Sequence, residues 1–440
     1  MTTLFPFDHS PLYEPTILGI AVIAVLAPQV VLVWTFARTV RQRLAATRLA
    51  DAAGRREAAK QVPAEVVLCL RGADEGLEDV FASLAAQQHA AWRLQVVVDS
   101  RDDPAWEIAE RSITAAEEAG TASWSAATLE PLAQRPQAGS LKCASLRQAI
   151  GRLAESTEVV ALLDADTRPP AEWLATLVEA VRRPGVGAVS GNRWYEPAVV
   201  TPAAMVRALW NAGAVVQMTA FGIPWGGSLA IRREAIVESR LAEVIEHTLC
   251  EDTALAEPLR RAGWKYRFEP AIFSIQHDGD LALVSLTRWI ARQLLTARLH
   301  HPAWPLVLTH AVSSSLVLIA CLAAALAAAI DGAGVEASAN LGLFAGYEIV
   351  SLLMALAIRR SVLSAVPTER LPAHVGTATA PAWLAWIPLT QLVYATAALK
   401  AVAARSVEWR GIRYRIGRGA VFPIEEPTLL PTPKPVSAGR

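Results

Sequence analysis

Residues 16–37 read TILGIAVIAVLAPQVVLVWTFA, without one charged side chain. Coiled as a helix, this stretch is long enough to cross a hydrocarbon core of about 30 Å. A cleaved signal sequence would need a basic start, a shorter apolar run and a small-residue cleavage site. The opening MTTLFPFDHSPLYEP holds no Lys or Arg, and the basic run RTVRQRLAATRLADAAGRREAAK comes after the apolar one. Basic flanks stay on the cytoplasmic side, so the N-terminus is expected outside and the next domain inside.

Three more apolar segments follow late in the chain, at 305–330, 341–358 and 381–404. The second contains Glu348, and the third Gln391 and Lys400. The link 331–340 lacks Lys and Arg and reads as external, whereas the stretch from Arg359 and Arg360 reads as internal. Four full crossings would place the basic tail WRGIRYRIGR outside, against the charge rule. One late segment is therefore expected to lie in the interface or to re-enter, and the Pro-interrupted 381–404 is the first candidate. An intramembrane charge is costly, so Glu348 marks either a function or a helix–helix hydrogen bond.

Hydrophobic residues make up 53% of the 440, and the formal charge is zero. That balance excludes the basic footprint of a nucleic-acid binder and the low hydrophobicity of a disordered chain. The four cysteines, Cys69, Cys143, Cys250 and Cys321, form no CxxC pair and read as reduced thiols.

Between 63 and about 280, short apolar runs alternate with amphipathic stretches. EVVLCL (65–70), RLQVVVDS (93–100), EVVALLDADT (158–167) and VGAVSGN read as strands. LEDVFASLAAQQ, AWEIAERSITAAEEAG, LKCASLRQAIGRLAE and PPAEWLATLVEAVRRPG read as helices. This predicts an α/β domain with a mainly parallel sheet covered on both faces. Ligands of such sheets bind beyond the carboxyl ends of the strands.

The acidic residues at those ends are accordingly the candidate site. Asp164 and Asp166 close the strongest strand, spaced so that both carboxylates can turn toward one hard cation, Mg²⁺ or Mn²⁺, that also holds a diphosphate. Asp99 closes an earlier strand and is placed to accept from a nucleobase or ribose. Asp102 and Asp103 behind it equally suit a turn or a helix cap. Glu251 and Asp252 open EDTALAEPLRRAG, where a carboxylate serves as a helix cap or as a general base. In PWGGSLAIRRE, Gly226 and Gly227 allow close backbone approach to a ligand, or form a plain turn.

Taken in order, RGADEGLEDVFASL, VVVDSRDDPA, LKCASL, LLDADTRPPAEWL, GGSLAIRRE, CEDTALAEPLRRAG and VEWRGIRY resemble family 2 glycosyltransferases with a GT-A fold, closest to the ceramide glucosyltransferase-like group. The resemblance covers roughly 63–298 and 408–414. It implies that Asp99 contacts uridine, that Lys142 lies in the nucleotide-binding region, and that Asp164 and Asp166 hold the donor diphosphate and its metal. It implies further that Gly226, Gly227 and Ser228 form the loop beside donor sugar and acceptor, and that Asp252 is the catalytic base. The family's (Q/R)xxRW motif is altered: Arg288 and Trp289 supply the RW pair, but Ser285 stands at its first position. Arg292, Gln293 and Arg298, on neighbouring helical turns, are candidates for the missing role. A basic amphipathic helix on the membrane surface is the alternative use of this stretch. His277 is a candidate extra contact, with a structural role the more expected.

The resulting expectation is an inverting hexosyltransferase at the cell membrane, multi-pass with its catalytic domain cytoplasmic. It takes a sugar from a nucleotide donor, with UDP the family's usual carrier, and passes it to a membrane lipid. A processive polysaccharide synthase and a non-catalytic scaffold are the alternatives. The chain divides into 1–62 (membrane helix and basic linker), 63–280 (GT-A domain), 281–304 (interfacial helix), 305–404 (membrane or interfacial helices) and 405–440 (cytoplasmic tail, Pro-rich and disordered at its end).

Overall fold

The computed structural model describes residues 14–276, 281–371, 375–376 and 378–424. His277 and the Pro-rich end lie outside the described residues. The first apolar run and the basic run after it form one continuous helix, α1 (Pro15–Ala52). The basic run is thus a helical extension, because Ala, Arg and Leu at 42–50 all favour helix and Gly54 in the left-handed region stops it. A short α2 (Arg55–Ala59) leads into the α/β domain.

That domain contains β1 (Ala64–Leu70), α3 (Leu77–Ala85), β2 (Trp92–Val98), α4 (Pro104–Glu118), β3 (Ala126–Pro131), α5 (Leu141–Ile150), β4 (Val159–Leu163) and α6 (Trp173–Val181). It continues through β5 (Val186–Ser190), β6 (Arg193–Tyr195), α7 (Pro202–Phe221), β7 (Ser228–Arg232), α8 (Arg233–Glu238), α9 (Leu241–Val244), α10 (Glu251–Arg261), β8 (Lys265–Phe268) and β9 (Ser274–Gln276). The strands form a seven-stranded sheet in the order β3-β2-β1-β4-β7-β5-β8. Only β7 runs antiparallel, between β4 and β5, so the sheet is mainly parallel as expected. Its central strands are buried on both faces, which explains the unbroken apolar runs VVALL and VGAVS. Asp103 caps α4 by accepting from Ala105 N and also accepts from Gly72 N, which takes up the cap role expected at that loop.

Beyond the sheet come α11 (Leu283–His300), α12 (Trp304–Ile330), α13 (Gly334–Leu363) and α14 (Ala380–Ala403). Four helices, α1, α12, α13 and α14, are long and apolar enough to cross a membrane. The last is continuous through Pro388. Trp383 near its start is buried with Phe268 and Phe273 of the α/β domain. Ala401 near its end is buried with Ile412 and Tyr414. The segment after it is an antiparallel sheet, β10 (Ser406–Trp409), β11 (Ile412–Ile416) and β12 (Val421–Pro423).

The basic end of α1 is tied to the α/β domain through a fully buried carboxylate. Glu269 accepts from Thr47 Oγ1 at 3.0 Å and pairs with Arg267 at 3.1 Å. Removing one member of a buried ion pair costs about 3–5 kcal/mol. Arg267→Met is therefore expected to lower unfolding stability in detergent by that order, read from the denaturant midpoint, while the surface change Arg260→Met leaves it within about 0.5 kcal/mol.

Candidate active site

Asp164 and Asp166 follow β4, where the buried strand ends and the chain turns at the sheet's carboxyl edge. Lys142, in the first turn of α5, reaches across to them. Its Nζ lies 2.8 Å from Asp164 Oδ1 and 2.7 Å from Glu251 Oε1. Arg193 closes the other side, with Nη2 3.3 Å from Asp164 Oδ2 and 3.3 Å from Asp166 Oδ1. Its guanidinium also donates to Tyr195 Oη at 3.0 Å and lies 5.1 Å from the Trp225 ring centroid. Two cations thus tie three carboxylates from separate parts of the chain.

Burial sets the protonation of this group. For Asp164 burial alone would raise the carboxyl, but Lys142 and then Arg193 outweigh it and hold it below the ordinary value. Glu251 is more deeply buried, and burial pushes its carboxyl up against the opposing pull of Lys142. Burial would lower Lys142, yet Asp164 and Glu251 keep its ammonium well above the usual range.

Asp252 stands at the start of α10, beside this cluster. Its Oδ2 accepts from Gly226 N at 2.9 Å, and its Oδ1 accepts from Thr253 Oγ1 and lies 2.9 Å from the Cys250 thiol. It also accepts from Thr253 N, in the helix's first turn. The N-cap is Cys250, so Asp252 is no cap; from inside the first turn the same carboxylate serves Thr253 N and lines the cleft. Gly226 and Gly227 are required by the protein's own groups. A Cβ on Gly226 would sit 2.4 Å from Glu251 Oε1, and one on Gly227 would sit 2.3 Å from the Trp225 ring and 2.8 Å from Asp164 Oδ2.

The carboxylates share a cleft of about 320 Å³ whose lining includes Asp99, Lys142, Asp164, Asp166, Asp252, Trp289, Arg292 and Gln293. Asp99 is paired with Arg71 and, at 3.4 Å, with Arg135, while its Oδ1 is buried without a hydrogen-bond partner. On α11, Trp289, Arg292, Gln293 and Thr296 face the cleft, as spacings of three, four and seven residues require of one helical face. Arg292 lies over Trp409 at 5.6 Å and forms no ion pair among the described residues; burial lowers its pKa. Trp289 packs edge-on against Tyr195 and Trp210.

Five expected residues stand outside this lining. Gly226, Gly227 and Ser228 lie behind it, and Ser228 is buried as the acceptor of a 2.8 Å bond from Trp173 Nε1. Arg288 is exposed one helical turn before Arg292 and does not reach the cleft lining. Arg298 also departs from the expectation: it donates to Ala401 O at 2.6 Å and Ala404 O at 3.0 Å, satisfying the carbonyl end of α14.

Several lining residues were not among the sequence candidates. Arg193 sits on a three-residue strand, β6, held by parallel pairing to the distant β9. Arg410 tips the hairpin between β10 and β11, where Trp409 pairs with Ile412. Arg410 and Gly411 both have positive φ, 52° and 73°, the geometry of a two-residue turn that matches strand twist. Arg410 grips Asp74, with Nη2 2.6 Å from Oδ2, and its carbonyl accepts from Arg71 Nε at 2.7 Å. Tyr414 Oη accepts from Leu141 N, and Val421 O from Gly139 N, so the small sheet is sewn to the start of α5.

A family model described as glycosyl transferase family 21 matches residues 21–422. The chain belongs to glycosyl transferase family 21. The matched family is thus 21, where the motifs resembled family 2. No curated protein matches this family 21 chain. Among solved structures it is similar to glucosyl-3-phosphoglycerate synthase from Mycobacterium tuberculosis, at 16% identity and TM-score 0.35, over 55% of this chain and 83% of that one. The same enzyme in complex with Mn²⁺ and UDP-Glc gives 17% identity and TM-score 0.34, over 55% and 81%. Its complex with Mg²⁺ and UDP gives 17% and 0.35, over 57% and 82%.

The Lys142 bridge gives a direct test in this family 21 protein. Lys142→Met leaves Glu251 and Asp164 facing each other without the shared cation and is expected to cost about 3 kcal/mol. Adding Glu251→Gln removes the buried charge and is expected to restore more than half of the loss, measured as a double-mutant cycle in denaturant unfolding.

Proposed function

We propose that this protein transfers a hexose from a UDP-linked donor to a membrane lipid, by a single inverting displacement, and that its nearest kin within the family are the ceramide glucosyltransferase-like enzymes. The observation that supports this best is a shared wall. Trp210, Ala214, Gln217 and Leu294 line the charged cleft and also line an apolar cavity of about 760 Å³ among α1, α7 and α11–α14. A polar donor and an apolar acceptor can therefore meet at one point.

Each end of the cleft suits its share of the substrates. Asp99 Oδ1, buried and unpartnered, is a waiting acceptor for the nucleobase imide or ribose. Arg292 and Arg410, in the same lining, carry the charge that a diphosphate requires. Asp164 and Asp166 offer hard oxygen atoms, and Asp166 Oδ2 has no partner among the described residues, so the pair fits Mg²⁺ or Mn²⁺. When bound, that ion supplies positive charge at the leaving diphosphate.

Asp252 is the base. Held by Gly226 N, it takes the proton of the acceptor hydroxyl as that oxygen attacks the anomeric carbon from the face opposite the diphosphate. The diphosphate leaves as an anion stabilised by Arg292 and Arg410 and needs no protonating acid. Lys142 and Arg193 keep Asp164 ionised and fix its orientation.

We place the protein in the cell membrane, multi-pass, with the cleft cytoplasmic, a reading that the four long apolar helices support. α12 and α13 form the crossing hairpin. α14 lies in the interface, since both of its ends pack on parts of the α/β domain and its small C-terminal sheet. This reading agrees with the charge rule and keeps the tail inside.

Asp252→Asn is expected to lower transfer about 10²–10⁴-fold while UDP binding is kept, measured by product formation and calorimetry in parallel. Full turnover in this variant would remove the base assignment. Chelation with EDTA is expected to abolish transfer, with recovery on Mn²⁺ addition; unchanged turnover would remove the metal.

A further inference from the structure

A further cavity, of about 250 Å³, shares no lining residue with the cleft or with the apolar chamber beside it. Leu44, Thr47, Arg48 and Asp51, on one face of α1, form one wall. The turn after α13 and the start of α6 form the others. Three arginines, Arg48, Arg56 and Arg370, and two carboxylates, Asp51 and Glu172, face this space. Arg56 is paired, its Nη2 2.9 Å from Asp51 Oδ2. The guanidinium groups of Arg48 and Arg370 form no hydrogen bond or ion pair among the described residues. Partial burial lowers the Arg370 pKa; Glu172 and Glu369 oppose that, and the nearby charge of Arg56 adds to it. Guanidinium groups gathered beyond what their own carboxylates neutralise are relieved by a shared anion, and their forked donors suit phosphate.

The position of the cavity indicates where the phosphate comes from. Ser364 lines it just past the end of α13, about 9 Å along the axis from Ile358, the end of the apolar run. That places the wall beside the headgroup layer of the leaflet into which the basic end of α1 emerges. We propose that this cavity holds the phosphodiester of an anionic phospholipid, between Arg48 of α1 and Arg370 after α13. The lipid is a resident one and not the acceptor, since the cavity has no wall in common with the cleft. It would join the ends of two long apolar helices to the α/β domain. Trp173 carries the contact inward: it lines the cavity, and its Nε1 donates to Ser228 Oγ at 2.8 Å. The carbonyl of Gly227, next in the chain, accepts from Asp164 N at 3.4 Å. An occupied cavity thus backs the turn that carries Asp164. The inference rests on the membrane placement proposed above and not on the transfer reaction.

The test is binding. The full chain in detergent micelles, freed of lipid, is titrated with dioctanoyl phosphatidylglycerol and dioctanoyl phosphatidylcholine, and occupancy is read by native mass spectrometry. The two share chains and phosphodiester, but the choline cation of the second would lie among the arginines. Phosphatidylglycerol is expected to bind roughly tenfold tighter. The double change Arg48→Gln, Arg370→Gln is expected to remove that preference. Arg41→Gln, which deletes an exposed charge of α1 outside the cavity, is expected to keep it. Hydrogen exchange, which needs no variant, is expected to slow at 44–51 and 364–371 when phosphatidylglycerol is added. Equal binding of the two lipids overturns the proposal, as does a preference that survives the double change or is lost equally in Arg41→Gln. Slowing confined to other segments overturns it too. Inorganic phosphate, run in parallel, separates the sources. It is expected to leave the lipid in place at equal concentration; displacement of the lipid one for one assigns the cavity to a soluble anion and overturns the lipid. Failure of the transfer reading would leave all of these results unchanged.

Discussion

The ammonium of Lys142 lies between Asp164 and Glu251, and the site is organised around that contact. Three carboxylates from β4 and α10 crowd one end of the sheet, and like charges at such range cannot all stay ionised without compensation. Lys142 from α5 and Arg193 from β6 supply it. Because these groups come from elements far apart in sequence, the acidic cluster can form only when the sheet has already brought β4, β6 and the loop before α10 together. Folding and site assembly are therefore the same event. The glycines at 226 and 227 belong to this requirement: their missing side chains leave the room in which Asp164, Glu251 and Asp252 converge.

The long apolar helices are joined to this centre by α7 and α11. α7 inserts between β6 and β7, so the strand carrying Arg193 and the turn beside Asp252 are both anchored to a helix that packs on α14. α11 presents Trp289 and Arg292 to the cleft and hands the chain directly to α12. The charged cleft and the apolar chamber consequently share side chains rather than merely lying near one another. A reaction between a water-soluble donor and a lipid needs such a junction, since neither substrate is at home in the other's solvent.

How much of this was legible in the sequence follows from the range of the forces involved. β1, β2, β4 and β5 were readable, since strands buried on both faces must be continuous apolar runs. Asp164, Asp166 and Asp252 were readable for the same reason, because they stand where such runs or their helices begin and end. Arg193 was not, because three-residue β6 exists only through pairing with β9, some eighty residues away. Arg410 left a faint signal, Arg-Gly between two alternating segments, the mark of a two-residue hairpin. Arg288 misled because sharing a helix face with a cleft residue does not ensure reaching the cleft: one turn before Arg292, it ends exposed and outside the lining. Arg298 misled because a basic residue near a site was in fact completing the end of another helix.

The central claim is that a nucleotide diphosphate lies between the Asp164–Asp166 edge and the cations Arg292 and Arg410, with Asp252 on the far side of the anomeric carbon. Cryo-electron microscopy of the full chain with UDP and Mn²⁺ tests it most directly. The account predicts the uracil against Asp99 and the diphosphate against Asp166, Arg292 and Arg410, with Mn²⁺ between the diphosphate and the two carboxylates. Density for the nucleotide anywhere else on the protein, or a diphosphate remote from all of these side chains, would contradict it.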